Sequence, residues 1–178
     1  MFSLLSSRKS GTMPRKTGNI IPLMNAVCRM CRPLNTKRAR PYAAIEPINR
    51  YENAFLLRGE QALALIKKVN HPQIKMMLDF FHCNIEENNN GDAIRAAGKN
   101  LVHCHVADSN RKSCGRGMTN WFEIMRALKD VDFNGSMACE PLPPTAADVY
   151  ASQTSERPEA DQYAEECIKY LRFIQSVI

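Results

Sequence analysis

The chain has 178 residues, enough for one domain with its own core. At 44% hydrophobic and 24% charged it is neither disordered nor collagen-like, and no apolar run approaches the length of a membrane span. The net charge of +6 is unevenly spread: nine of the 24 Lys and Arg lie in residues 1–45 with no Asp or Glu, and the other 15 share the remainder with all 18 acidic residues. A head of +9 therefore precedes a body of −3.

The head, residues 1–41, is rich in Ser, Arg, Lys, Pro and Asn and has no helical or strand periodicity. Its one apolar patch, 20–27, is broken by Pro22 and Asn25, so it is not a secretory signal. Three readings compete. An Arg-rich, acid-free stretch matches a mitochondrial transit peptide in composition, which would imply import. A basic tail could bind nucleic acid, but Phe2 is its lone aromatic, so the stacking partners of a single-strand binder are missing. The third, favoured by the body that follows, is a replaced or mistranslated stretch ahead of a truncated domain. Cys28 and Cys31 form a lone CxxC with no second ligand pair, which reads as incidental rather than as zinc. Seven cysteines, an odd number without framework spacing, point to a reducing compartment and a cytoplasmic location. Cys83, Cys104 and Cys139 sit among apolar residues and read as buried thiols.

From residue 42 the pattern changes to short apolar runs alternating with amphipathic stretches. Tyr42–Ile45 reads as a strand ending at Glu46. Ala62, Leu65, Ile66 and Val69 have helical spacing within 60–69. Ile74–Leu78 reads as a strand ending at Asp79, and 92–97 as a short helix with Asp92 at its acidic start. Leu101–Val106 is a strand carrying His103 and His105 on one face. A helix over 121–128 follows, capped by Thr119 or Asn120. Ser136–Cys139 is a strand ending at Glu140, and a last helix spans 161–177, packing on the exterior.

The strand starts near 42, 74, 101 and 136 recur at the ~30-residue period of a βαβ unit, which predicts an α/β fold with parallel strands and right-handed crossovers. Glu46, Asp79, His105 and Glu140 each fall at or beside the C-terminal end of a strand, the active-site face of a (β/α) barrel. Three carboxylates and one imidazole form a divalent-metal set, better suited to Mn²⁺, Mg²⁺ or Co²⁺ than to a thiolate zinc site. Each residue has a plainer role. Glu46 could close a strand, Asp79 could cap the next segment, His105 could be a satisfied core histidine, and Glu140 could open the loop 141–144. Four such residues at equivalent positions of four successive units favour the shared site. His103 lies one layer deeper and reads as structural.

The stretches IEPINRYE (45–52), LDFFHCNIEE (78–87), HCHVADSNR (103–111), GRGMTNW (115–121) and CEP (139–141) resemble the xylose-isomerase-like TIM-barrel superfamily, most closely its D-tagatose/D-psicose 3-epimerase branch. The resemblance covers roughly 43–142 and implies a partial (β/α)8 barrel, about four C-terminal βα units within a domain of 42–178. It implies that Glu46, Asp79, His105 and Glu140 bind one Mn²⁺-like ion. Glu46 and Glu140 would exchange protons on opposite faces of a ketose carbon, inverting C3 through an enediolate. Glu52, His82 and Arg111 would contact the sugar. Gly115 and Gly117 serve turn geometry. A full barrel needs ~250 residues, so the resemblance also implies that half the wall is missing. The open parallel edges then call for a second copy or another partner. Three alternatives stay open: an active sugar epimerase or isomerase, a catalytically inactive metal-binding fragment, and the endonuclease-IV-like DNA-repair branch. The NRYE run points to sugars, the −3 charge of the body argues against nucleic acid, and the lack of a long apolar run argues against a membrane.

Overall fold

A computed structural model describes residues 42–142 and 158–178. The head, with its CxxC pair, and the 143–157 stretch lie outside the described residues. Four strands, β1 (Ala43–Ile45), β2 (Ile74–Asp79), β3 (Leu101–Val106) and β4 (Ser136–Cys139), form one sheet in the order β1-β2-β3-β4. Every pairing is parallel. Sequential order with parallel pairing means that each connection is a crossover, as the repeat length required.

The crossovers are helical: α1 (Gly59–Val69), α2 (Phe80–Glu86), α3 (Asn90–Ala97), α4 (Trp121–Asp130) and, after β4, α5 (Pro158–Val177). A single 3₁₀ turn, Gly98–Asn100, leads from α3 into β3. Helix α2 was not expected from the sequence. Its seven residues are too few to display a helical period, and it is started by Asp79, whose Oδ1 accepts the Phe81 N–H at 2.8 Å. The Asn120 side chain caps α4 by accepting the Glu123 N–H, while the Thr119 hydroxyl accepts from the Asn84 amide at 2.6 Å.

Helices α1, α3, α4 and α5 pack side by side along one face of the sheet, in the same order as the strands. Met76 and Leu78 of β2 with Leu101, Cys104 and Val106 of β3 meet Ala62, Phe80, Ile94, Trp121, Ile124, Cys167, Leu171 and Ile174 in one continuous core. Phe80 and Trp121 pack edge to face with ring centroids 5.8 Å apart. Along α5 the buried positions are Tyr163, Cys167, Leu171 and Ile174, one stripe at helical spacing that docks it on α4 and β4.

The opposite face of the sheet carries the candidate site residues. Ile45 pairs with Met76 on the helix side, so Lys75, Met77 and Asp79 point the other way. In β3 strict alternation would place Leu101 on the same face as His103 and His105. It does not, because the register steps by one residue between Met76↔Leu101 and Met77↔His103. This bulge at Leu101–Val102 lets Leu101 enter the core while both histidines share the face of Met77 and Asp79. Gly135 lies against it: a Cβ there would run into the Val102 carbonyl oxygen, so only glycine fits.

Candidate active site

The expected four residues converge at the C-terminal edge of this face. Asp79 ends β2 and is registered directly beside His105 of β3. His105 is registered beside Ala138, and Glu140 follows two residues on, its N–H bonded to the Val106 carbonyl at 3.0 Å. Glu46 is the first residue beyond β1. One ligand atom from each of Glu46, Asp79 and His105 lies within 4.8 Å of the others. Glu140 Oε2 is 3.1 Å from His105 Nδ1, and Glu46 Oε1 is 3.9 Å from the same nitrogen. Asp79 is fully buried, with Oδ1 committed to the α2 cap and Oδ2 turned into the cluster. Its capping role and its site role therefore coexist.

Arg111 closes the group. Its guanidinium reaches Asp79 Oδ2 at 3.1 Å and Glu140 Oε2 at 3.2 Å, and it stacks over Phe81 at 4.0 Å from the ring centroid. Arg111 has a positive φ of 60°, a conformation set by the tight turn in which its N–H bonds the Asp108 carbonyl. Asp108 holds the whole 108–121 loop. Its buried carboxylate accepts from the N–H of Ser109, Gly115 and Thr119 and from the Trp121 indole at 2.7–3.1 Å. Gly117 sits so close to this carboxylate that a side chain there would collide with it. Gly115 has a φ of +86°, so both glycines serve the turn.

His82 and Glu52 form a second tier. His82 Nε2 is 3.5 Å from Asp79 Oδ2, and its Nδ1 is 3.9 Å from Glu52 Oε1. Asn49 stands between them, 1% exposed, with its amide nitrogen 3.0 Å from Glu52 Oε1 and 2.7 Å from His82 Nδ1. The loop carrying Glu46, Asn49 and Glu52 is pinned from outside by Arg50, whose side chain grips both oxygens of Glu86 at 2.9 Å while its backbone N–H bonds Oε1 at 2.7 Å. His103, below His105, stacks against it edge to face and pairs with Ser136 Oγ at 2.7 Å.

Sequence reasoning did not single out Asn49, Phe81, Arg50 with Glu86, or Asp108. Asp108 carried a readable signal: Asp-Ser-Asn directly after a strand is turn chemistry. The others act through contacts 30 or more residues away, which one-dimensional spacing does not encode.

The electrostatics make the carboxylates unequal. Burial raises Asp79 against the pull of Arg111. Burial also raises Glu46, which His105 and Arg111 only partly offset. Burial would raise Glu140 too, but His105 and Arg111 outweigh it and hold that carboxyl below its usual range. His105 is raised because the three carboxylates overcome burial. His82 is lowered, chiefly by burial and then by Arg111. Among the described residues, His105 Nδ1 is a buried nitrogen without a well-directed hydrogen bond, although Glu140 lies beside it. A buried imidazole nitrogen facing carboxylate oxygens fits a divalent cation of the Mn²⁺, Mg²⁺ or Co²⁺ kind once its proton has left.

The sequence profile of the family described as "Xylose isomerase-like TIM barrel" matches residues 19–172. The chain belongs to this family. The match begins inside the basic head, upstream of residue 42. Among individual proteins, a D-psicose 3-epimerase of Ruminiclostridium cellulolyticum is 45% identical over 98 residues, 55% of this chain and 33% of that protein. A D-psicose 3-epimerase of Agrobacterium fabrum is 43% identical over 59% of this chain and 36% of its own length. The chain thus spans about a third of the curated relatives it matches. A crystal structure of a D-psicose 3-epimerase in the presence of D-fructose superposes with a TM-score of 0.66 at 35% identity, covering 75% of this chain and 49% of that one. The fold is a partial TIM barrel.

Proposed function

We propose that this site epimerises a ketose at C3, with one divalent ion, Mn²⁺ foremost, held by Glu46, Asp79, His105 and Glu140. The observation that carries the reading is the convergence of three carboxylates, one imidazole and Arg111 at the C-terminal ends of four parallel strands. The names of the relatives, D-psicose 3-epimerase and L-ribulose 3-epimerase, supply the substrate class. When bound, the ion supplies Lewis acidity toward the carbonyl and hydroxyl oxygens of the sugar. The remaining work belongs to the chain. Glu46 and Glu140 come from the two outer strands, and in this reading they flank the substrate from opposite sides. One carboxylate takes the proton from the carbon next to the carbonyl, and the other returns a proton to the opposite face, which inverts that centre. Their unequal affinities for protons suit them to these complementary tasks. Arg111, fixed by Asp79, Glu140 and Phe81, donates toward the oxygen on which charge develops. His82 and Glu52 bind sugar hydroxyls.

A second reading is a metal-binding but catalytically silent half barrel. It is favoured by the outer edges of β1 and β4, which have no strand partner among the described residues. A second copy of the chain is the occupant we propose for those edges. The test is purified chain with Mn²⁺ and D-fructose, D-tagatose or D-psicose, with product analysis and light scattering in parallel. C3-epimerised sugar that disappears in Glu140→Gln supports the enzyme. Equal inactivity of both proteins with Mn²⁺ binding intact establishes the silent reading.

A further inference from the structure

Asn49 is an uncharged side chain buried between two residues assigned above to the sugar, and both its amide hydrogens and its amide oxygen have partners. Its Oδ1 accepts the Tyr51 backbone N–H at 2.9 Å, which fixes which end of the amide is oxygen. Its Nδ2 then has two hydrogens and two partners: Glu52 Oε1 at 3.0 Å and His82 Nδ1 at 2.7 Å. An amide nitrogen only donates, so His82 Nδ1 must be the acceptor and carry no proton. The single proton of the neutral ring is left on Nε2, the nitrogen 3.5 Å from Asp79 Oδ2 at the border of the cluster.

We infer that Asn49 is a positioning residue that selects the Nε2–H tautomer of His82 and so presents a fixed N–H donor to the substrate. The inference rests on the epimerase reading for the word substrate, but the tautomer is a property of the chain itself. The local architecture supports the selection. The Asn49 carbonyl accepts the N–H of both Glu52 and Asn53, so the turn holds the amide in place. His82 is 4% exposed, which leaves little water to compete for Nδ1. A ring with its proton on Nδ1 would set two donors against each other at 2.7 Å.

The test is nitrogen NMR of the full chain labelled at histidine. The chain has four histidines, and the His82 resonances are assigned by their loss in His82→Gln. The expected wild-type result is one tautomer, with the proton on Nε2 and a bare, hydrogen-bonded Nδ1. In Asn49→Asp the carboxylate becomes an acceptor of similar shape, and the proton should shift to Nδ1. A wild-type ring protonated on Nδ1, or averaged between tautomers, overturns the inference, as does an Asn49→Asp spectrum identical to wild type. Should that variant not fold, the wild-type tautomer decides alone. Failure of the epimerase reading looks different: no sugar turnover with the Nε2–H tautomer intact.

Discussion

Replacing Asp108 with Asn tests whether one carboxylate holds the loop that delivers Arg111. The change is nearly isosteric, so packing is preserved and only hydrogen bonding alters. Asp108 Oδ1 serves the N–H of Ser109 and Thr119, and Oδ2 serves Gly115 N–H and the Trp121 indole. An asparagine can keep one pair in either orientation, but its NH₂ then faces the donors of the other. Two N–H groups lose their acceptor at about 1–3 kcal/mol each, and the surviving pair falls from charged to neutral bonds. Trp121 is 1% exposed and cannot recover its bond from water. The expected loss is about 3–5 kcal/mol, a large share of a typical domain stability. Trp121 is the sole tryptophan, so urea unfolding followed by its fluorescence reads both the loop and the global transition. A loss below about 1 kcal/mol with an unchanged urea dependence would refute the reasoning, because it would mean that these donors find other partners.

Three further outcomes are expected. Mn²⁺ affinity, measured by calorimetry, should climb as pH rises through about 7, since burial pushes Asp79 up to about 7 and its proton must leave before an ion binds; Asp79→Asn should abolish binding and its slope. Glu166 of α5 accepts from Ser113 at 2.7 Å, Arg116 at 2.5 Å and Gln162 at 2.9 Å. These bonds hold it down at about 2 against an ordinary 4.5, so its stabilising contribution is complete above 4.5 and lost as pH falls toward 2. The stability gap between wild type and Glu166→Gln should therefore shrink over that interval in acid titrations. Gly135→Ala should destabilise the fold strongly in thermal melts, because the new methyl meets the Val102 backbone rather than a movable side chain.

Much of the fold was legible because βαβ units repeat and parallel strands alternate with amphipathic helices. The four strands, the shared face of His103 and His105, a cap at Thr119 or Asn120 and the last helix all follow from local patterns. The strand-end rule brought Glu46, Asp79, His105 and Glu140 together, and the resemblance added Arg111, His82 and Glu52. Three features escaped. Helix α2 is nucleated by a single capping contact from Asp79 rather than by periodicity. The bulge in β3 depends on which residue of β2 each β3 residue faces, which is a property of the pair. Asn49 looked like loop composition and acquires meaning only from His82, 33 positions away.

The pairing order has a consequence for how the site can be tuned. β1 and β4 are three strand spacings apart, roughly 14 Å in a flat sheet. Glu46 and Glu140 nevertheless both come within 4 Å of His105 Nδ1. His105 lies on β3, so Glu140 reaches it across one strand spacing and Glu46 across two, and the separation of the two carboxylates follows the geometry of the sheet beneath them. That sheet is braced on its other face by the row α1, α3, α4 and α5. Substitutions at Ile94, Ile124 or Ile174 touch no polar group of the site, yet by letting the sheet relax they would change how far apart its carboxylates stand.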